Sequence, residues 1–338
     1  MIHEALTKVV LKEDLTETEM MEVMTEIMSG QVDPIVLSSF LTALKLKGET
    51  ADEIAGAAKV MREKADKIEI NDDHSIDTCG TGGDGASTFN ISTGVAFVLA
   101  TAGLKVVKHG NRSISSKCGS ADVLEALNVN LELNKDQIKE CVLNENIGFL
   151  FAPKHHQAMK YAMPVRQALG FRTIFNVLGP LSNPASAKYQ LLGVYDEALT
   201  ETMAKALQKV GVKRALVVQG KDGLDEISVA AETKVTELDH KDIKTYYIKP
   251  EDFGMRRGTL EDIKGGDKEE NAKILINIFK GEQGAKRDIL LLNSGAALYI
   301  ANKAQSIQEG IELAKELIDS HKVYDKLESY VKYTEVMK

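Results

Sequence analysis

Apolar positions recur at helical spacing through the first 66 residues. Ile54, Ala58, Met61 and Ala65 fall three or four apart, one face of a helix. Thr16-Glu-Thr-Glu19 and Thr50-Ala-Asp-Glu53 fit the capping box, in which the Thr and Glu side chains each satisfy a backbone N–H at a helix start. Ser29-Gly30 and Lys47-Gly48 punctuate these helices. From Ile68 the pattern changes. Short β-branched or apolar runs at Ser75–Thr78, Leu104–Val107, Phe149–Ala152, Gln190–Val194 and Ala215–Gln219 alternate with helical stretches at 94–102, 121–127, 136–145 and 197–210. Beyond Lys268 the chain reads as helical again, at 271–279, 295–303, 306–320 and 324–333. This predicts an α/β protein: a small N-terminal all-helical domain over 1–66 plus a large α/β domain over 67–338. The larger domain is expected to hold a central, largely parallel sheet flanked by helices.

Composition narrows the class. Of 338 residues, 43% are hydrophobic and 27% charged, ordinary for a globular enzyme. A formal net charge of −8 argues against a general nucleic-acid binder, which presents a basic face. An anionic ligand must then be held by local donors and metal rather than by the field of the whole protein. No run approaches 18 consecutive apolar residues, and Met1-Ile-His-Glu lacks a signal peptide's charged-then-apolar order. Cys79, Cys118 and Cys141 are too few and scattered for a disulfide framework or a CxxC zinc site. The expectation is a reduced, cytoplasmic enzyme with neither membrane nor nucleic acid as partner.

Three clusters carry chemistry. Asp77-Thr-Cys-Gly-Thr-Gly-Gly-Asp-Gly85 runs from a strand into a loop with Gly at 80, 82, 83 and 85, ahead of hydroxyl and amide residues and an apolar helix. Glycine lets backbone N–H groups approach a ligand closely, and the helix N-terminus adds positive potential; together they form a phosphate cradle. Read literally, Gly80–Gly85 also matches the GxGxxG of a dinucleotide site. That reading needs an acidic residue about 20 positions on for the ribose hydroxyl. The chain has Lys105, Lys108 and His109 there, and Asp84 inside the loop would repel a pyrophosphate unless something bridges them. The second cluster, Lys108-His-Gly-Asn-Arg-Ser-Ile-Ser-Ser-Lys-Cys-Gly-Ser120, follows the next strand and offers cations and hydroxyls suited to a multiply charged phosphate. The third, Asp222-Gly-Leu-Asp-Glu-Ile-Ser228, follows the strand 215–219. Adjacent carboxylates at a strand end suit Mg²⁺, which takes one or two carboxylates plus phosphate oxygens and waters.

With these motifs, the chain resembles the anthranilate phosphoribosyltransferase family over essentially its whole length. The resemblance also rests on Asn90-Ile-Ser-Thr93, Phe151-Ala-Pro153, Val165-Arg166 and Arg172-Thr-Ile-Phe-Asn-Val-Leu-Gly-Pro-Leu-Ser-Asn-Pro184. It implies transfer of the 5-phosphoribosyl group from phosphoribosyl pyrophosphate (PRPP) to the amine of anthranilate, in tryptophan biosynthesis. Carried over by position, Gly80, Gly83, Asp84, Thr88, Asn90, Ile91, Ser92, Thr93, Lys108, Asn111, Arg112, Ser113, Ser115, Ser116 and Ser120 would hold PRPP. Ser92, Asp225 and Glu226 would bind Mg²⁺, with two ions per site. Gly80, Asn111 and Arg166 would contact anthranilate, and His109, His156 and Tyr161 would line its approach. Lys108, Asp84 and His109 are the residues placed closest to the chemistry, His109 more as a wall of the pocket than as a base. The resemblance further implies a homodimer formed through the helical domain, which helices from about 155–182 would join, and association with the anthranilate synthase amidotransferase. One departure is Gln157, where the family usually has Pro after the His pair. The competing readings are a pyrimidine nucleoside phosphorylase-like enzyme, whose family has an extra C-terminal α/β region, and a non-catalytic nucleotide- or nucleic-acid-binding homologue.

Overall fold

The computed structural model describes residues 1–113 and 117–337. Its centre is a seven-stranded sheet: β1 (Ile76–Gly80), β2 (Val106–Gly110), β3 (Ile147–Phe151), β4 (Tyr189–Gly193), β5 (Arg214–Gly220), β6 (Thr233–Asp239) and β7 (Asp242–Ile248). The spatial order is β3-β2-β1-β4-β5-β6-β7. The first five are parallel; β6 and β7 add an antiparallel edge. The chain leaves β1 toward β2 and β3, then returns to place β4 on the opposite side of β1. That reversal is a topological switch point, where the carboxyl ends of neighbouring strands open a crevice for ligand.

Alternation along the strands divides two cores. Leu191, Leu216 and Val218 face a cluster with helices Ile91–Thr101 and Ala285–Ile300, while Leu192, Ala215 and Val217 face the other cluster with helix Leu199–Lys209. The N-terminal helices Ile2–Val10, Glu17–Met28, Pro34–Lys47 and Ala51–Lys64 pack into the second cluster through Met20, Met24, Leu37, Phe40, Leu44 and Ile54. Both capping boxes form. Glu53 does more than cap: fully buried, its carboxylate accepts from Thr50 N at 2.8 Å, Leu15 N at 2.9 Å and Lys47 Nζ at 3.0 Å, joining three segments of the bundle. Ala162, Val165, Phe175 and Leu178, from the short helices around 163–181, enter the same apolar cluster.

The five expected strands lie within three residues of their anticipated bounds. The β6–β7 hairpin was not anticipated. Its two-residue turn, His240-Lys241, has His240 at φ +56 and neither Gly nor Asn at the turn, so the usual hairpin signal is missing. The helix expected at 295–303 spans Ala285–Ile300: it is buried nearly all round, Arg287, Asn293 and Ser294 included, so no amphipathic period marks its first half. The helix expected at 94–102 begins at Ile91, which draws Ser92 and Thr93 into its first turn. Among the described residues no helix is long and apolar enough to cross a membrane.

Candidate active site

The site forms where β1 and β4 end together. Gly80 and Gly193 are register partners, and the segment Leu224–Ile227 crosses over both. A Cβ on Gly193 would stand 1.4 Å from the Asp225 carbonyl oxygen, so only glycine permits the backbone approach there, and one on Gly80 would stand 2.3 Å from the Asp225 carboxylate and displace it. The segment is held from below by Asn293, whose side chain accepts from Ile227 N and donates to Ile227 O, each at 2.9 Å. Beyond Gly80 the chain turns through Gly82, Gly83 and Gly85, all at positive φ. Thr81 N bonds Gly193 O at 2.9 Å, and Gly82 N donates to Asp225 Oδ2 at 2.8 Å. Asp222, beside the carboxylate pair in sequence, instead closes its own turn, accepting from Ser228 Oγ at 2.6 Å.

The helix Ile91–Thr101 starts next to this loop. Its N-cap, Asn90, spends its side chain on tertiary bonds, donating to Cys118 O at 3.2 Å and accepting from Asn271 Nδ2 at 3.0 Å. Asn90 therefore does not cap the helix; Ile91 N bonds Phe89 O at 2.7 Å, and the Ser92 N–H reaches the Glu226 carboxylate, which takes the place of a cap. Thr88 pairs with Lys264 across an antiparallel bridge. Lys108, on β2 and 2% exposed, reaches Thr78 O at 2.5 Å and Ser92 Oγ at 3.2 Å. Burial pushes its ammonium pKa down against the opposing pull of Asp77, Cys79 and Glu226.

Asp84, Asp225 and Glu226 complete this half of the site. Burial and the neighbouring Asp84 carboxylate push Asp225 up; burial and Asp225 push Glu226 up, with Lys108 and the Ser92 N–H opposing. Glu226 thus sits between Lys108 and the carboxylates of Asp225 and Asp84, which crowd like charge together. No group of three or more His, Cys, Asp or Glu among the described residues makes a ready cage for a metal ion. Asp225 and Glu226 are the carboxylates that could hold a Mg²⁺ completed by waters and phosphate oxygens.

The other half is lined by neutral histidines and one guanidinium. His109 Nδ1 lies 3.2 Å from Gly179 O; a carbonyl only accepts, so Nδ1 carries the proton and Nε2 presents a lone pair with no partner among the described residues. Burial, with His156 and His155 beside it, pushes His109 down to about 3, and burial pushes His156 down to about 4. The two rings meet edge to face at 5.0 Å. Arg166 is half-buried over the Phe175 ring at 5.2 Å, with no ion pair among the described residues; burial lowers its pKa. Tyr161 is 43% exposed and packs over Gly30 of the helical bundle, while Gln157 is exposed at the start of a 3-10 turn.

The second loop is tied to its own helix. Arg112 pairs with Asp122 and Glu125, each at 3.1 Å, so its charge is already matched rather than free for a phosphate. Asp122 also accepts from Ser113 N at 3.0 Å and Gly119 N at 2.8 Å, and Ser120 Oγ donates to Asn111 O at 3.3 Å. Ser115 and Ser116 lie outside the described residues. Sequence reasoning assigned nothing to Asp77 and Asn183. Asp77, fully buried, accepts from His109 N at 3.2 Å and Asn183 Nδ2 at 2.7 Å, which holds β1, β2 and the segment after Pro180 in register. An acidic residue in the middle of a strand expected at the centre of a sheet covered on both faces was the available signal.

A glycine loop, a carboxylate pair and a switch-point crevice together suit a phosphorylated ligand held with a divalent cation. Residues 72–324 match the model of the glycosyl transferase family, a/b domain, and residues 3–65 that of the same family's helical bundle domain. An anthranilate phosphoribosyltransferase of Alkaliphilus metalliredigens is 56% identical over 338 residues, covering 100% of both chains. The solved anthranilate phosphoribosyltransferase of Thermus thermophilus superposes with a TM-score of 0.93 at 43% identity, covering 98% of this chain and 99% of that one. The Saccharomyces cerevisiae enzyme in complex with PRPP and Mg gives 0.90 at 30% identity, covering 99% and 98%. This chain belongs to the glycosyl transferase family, within its anthranilate phosphoribosyltransferases.

Proposed function

We infer that the protein transfers the 5-phosphoribosyl group of PRPP to the amine of anthranilate, releasing pyrophosphate, as a Mg²⁺-dependent step of tryptophan biosynthesis. The observation that carries this is the convergence of the glycine loop, Lys108, Asp84, Asp225 and Glu226 at the β1–β4 switch point.

In this reading the loop N–H groups, Thr88, Asn90, the first turn from Ile91 to Thr93 and Lys108 bind the pyrophosphate and phosphate oxygens, with Asn111, Ser113 and Ser120 at the rim. Asp225, Glu226 and Ser92 would hold Mg²⁺, two ions per site, which supplies positive charge to the departing pyrophosphate. As the C1–O bond breaks, negative charge grows on the leaving group, and donors already aimed there lower the barrier. Arg166 grips the anthranilate carboxylate and aims the neutral amine at C1 on the face opposite the leaving group, a positioning effect. The N–C1 bond forms, and the amine proton then passes to solvent. His109 and His156, neutral at physiological pH, wall the acceptor side without adding charge. Gly80 and Tyr161 border the same channel. Arg112 acts through the loop it anchors rather than as a direct phosphate ligand.

The reading divides the chain near residue 66, with 155–182 joining the helical side. It places a homodimer contact on that side, consistent with the exposed apolar residues Val10, Leu11, Ile35 and Leu46. Association with the anthranilate synthase amidotransferase belongs to the same reading, and co-purification tests it. The activity is tested by the decay of anthranilate fluorescence with PRPP and Mg²⁺, with and without chelator. Decay that chelator stops is expected. No decay, with phosphorolysis of uridine or thymidine instead, would reassign the chain to nucleoside cleavage.

A further inference from the structure

The glycine loop is gripped from outside by a residue that the transfer reaction has not accounted for. Arg172 donates from Nη2 to Gly83 O, and its guanidinium lies over the Tyr195 ring at 4.1 Å. Tyr195 in turn donates its backbone N–H to Thr81 Oγ1 at 3.1 Å, so guanidinium, ring and loop form one closed circuit. Arg172 is exposed and has no carboxylate partner among the described residues. A Cβ on Gly83 would stand 3.1 Å from Nη2, so the contact is fitted to the glycine.

The peptide geometry gives this grip a consequence. The Gly83–Asp84 peptide is trans and planar, so pinning the Gly83 carbonyl directs the Asp84 N–H to the opposite side. The N–H groups of Gly83, Asp84 and Gly85 donate to no protein group among the described residues. They are the donors a phosphate would use, in a loop whose glycines otherwise leave it free to turn. Arg172 also shares a short, fixed joint with Arg166. The helix Met163–Leu169 closes at Gly170 with φ +66, and Asn176 Oδ1 accepts from Thr173 N at 3.0 Å on the far side.

We propose that Arg172, stacked on Tyr195, is a positioning residue that sets the Gly80–Gly85 loop for PRPP. It links that loop to the joint carrying Arg166. The proposal rests on the transfer reaction inferred above, and wild-type activity is measured first so that the two can fail separately. Arg172→Ala is expected to raise KM for PRPP about tenfold, because PRPP must then order the loop at the cost of its own binding energy. KM for anthranilate at saturating PRPP should move less than about twofold, and amide hydrogen exchange at the bonded loop amides of Thr81, Gly82 and Ala86 should speed up. Arg172→Lys, which keeps the charge but has no planar fork, should recover only part of the loss. Tyr195→Leu should reproduce the exchange change with Arg172 intact, and so carries the test if Arg172→Ala does not fold. Unchanged KM for PRPP and unchanged loop exchange in both variants would overturn the proposal. So would a fall in kcat alone with loop protection intact, since that marks a direct contact with the reacting groups.

Discussion

Replacing Arg166 by alanine separates acceptor binding from every other function of the site. The guanidinium is half-buried, carries no ion pair among the described residues, and rests on Phe175 at 5.2 Å. Removing it forfeits a cation–π contact of about 0.5–1 kcal/mol but also relieves an unmatched, partly desolvated charge. The two effects oppose, so Tm should move by less than about 2 °C. Binding should respond far more. A charge-assisted hydrogen bond to the anthranilate carboxylate contributes roughly 2 kcal/mol, so KM for anthranilate should rise roughly 30-fold. KM for PRPP should stay within about twofold. The assay is initial-rate fluorescence decay with anthranilate varied at saturating PRPP. Aniline, which lacks the carboxylate, supplies the control: its slow consumption should be the same for wild type and Arg166→Ala. An equal loss with aniline, or a larger rise in KM for PRPP than for anthranilate, would refute the assignment.

The carboxylate pair and the histidines make further predictions. Asp225→Asn with Glu226→Gln should abolish most Mg²⁺-stimulated activity without lowering Tm in chelator, because it removes like charges; unchanged metal dependence would move the metal elsewhere. His109→Ala should lower kcat by less than about tenfold, below the range of a true general base; a loss of several orders of magnitude with intact folding would restore a chemical role. The same histidine makes the fold sensitive to acid. Its folded pKa is about 3 against an ordinary value near 6.5, so the unfolded chain binds the extra proton as pH falls below 6.5. Stability is therefore unaffected by this group above that value and declines below it, by roughly 2 kcal/mol at pH 5. Urea denaturation at pH 7 and pH 5 should show this component in the wild type and not in a folded His109→Ala.

The local order of elements was legible in the chain because each rests on short-range physics. The capping boxes at Thr16 and Thr50, the β-branched runs and the Gly80–Gly85 loop each depend on residues only a few positions apart. The β6–β7 edge was hidden because its turn departs from usual hairpin chemistry, and the first half of Ala285–Ile300 because complete burial erases amphipathic period. Longer-range pairings stayed out of reach. Arg112 reads as a phosphate ligand beside its serines, yet Asp122 and Glu125, 10 and 13 positions farther along on the helix Ser120–Ala126, claim its charge.

By itself the sequence determined the α/β class, the glycine loop, the adjacent carboxylates and the family. Only the tertiary structure decided that Gly80 and Gly193 meet beneath Asp225, that Asp77 and Asn183 brace His109, and that Arg172 closes on Gly83 from 89 positions away. Those contacts depend on which strands become neighbours and how closely two backbones approach, and packing of the whole sheet sets both.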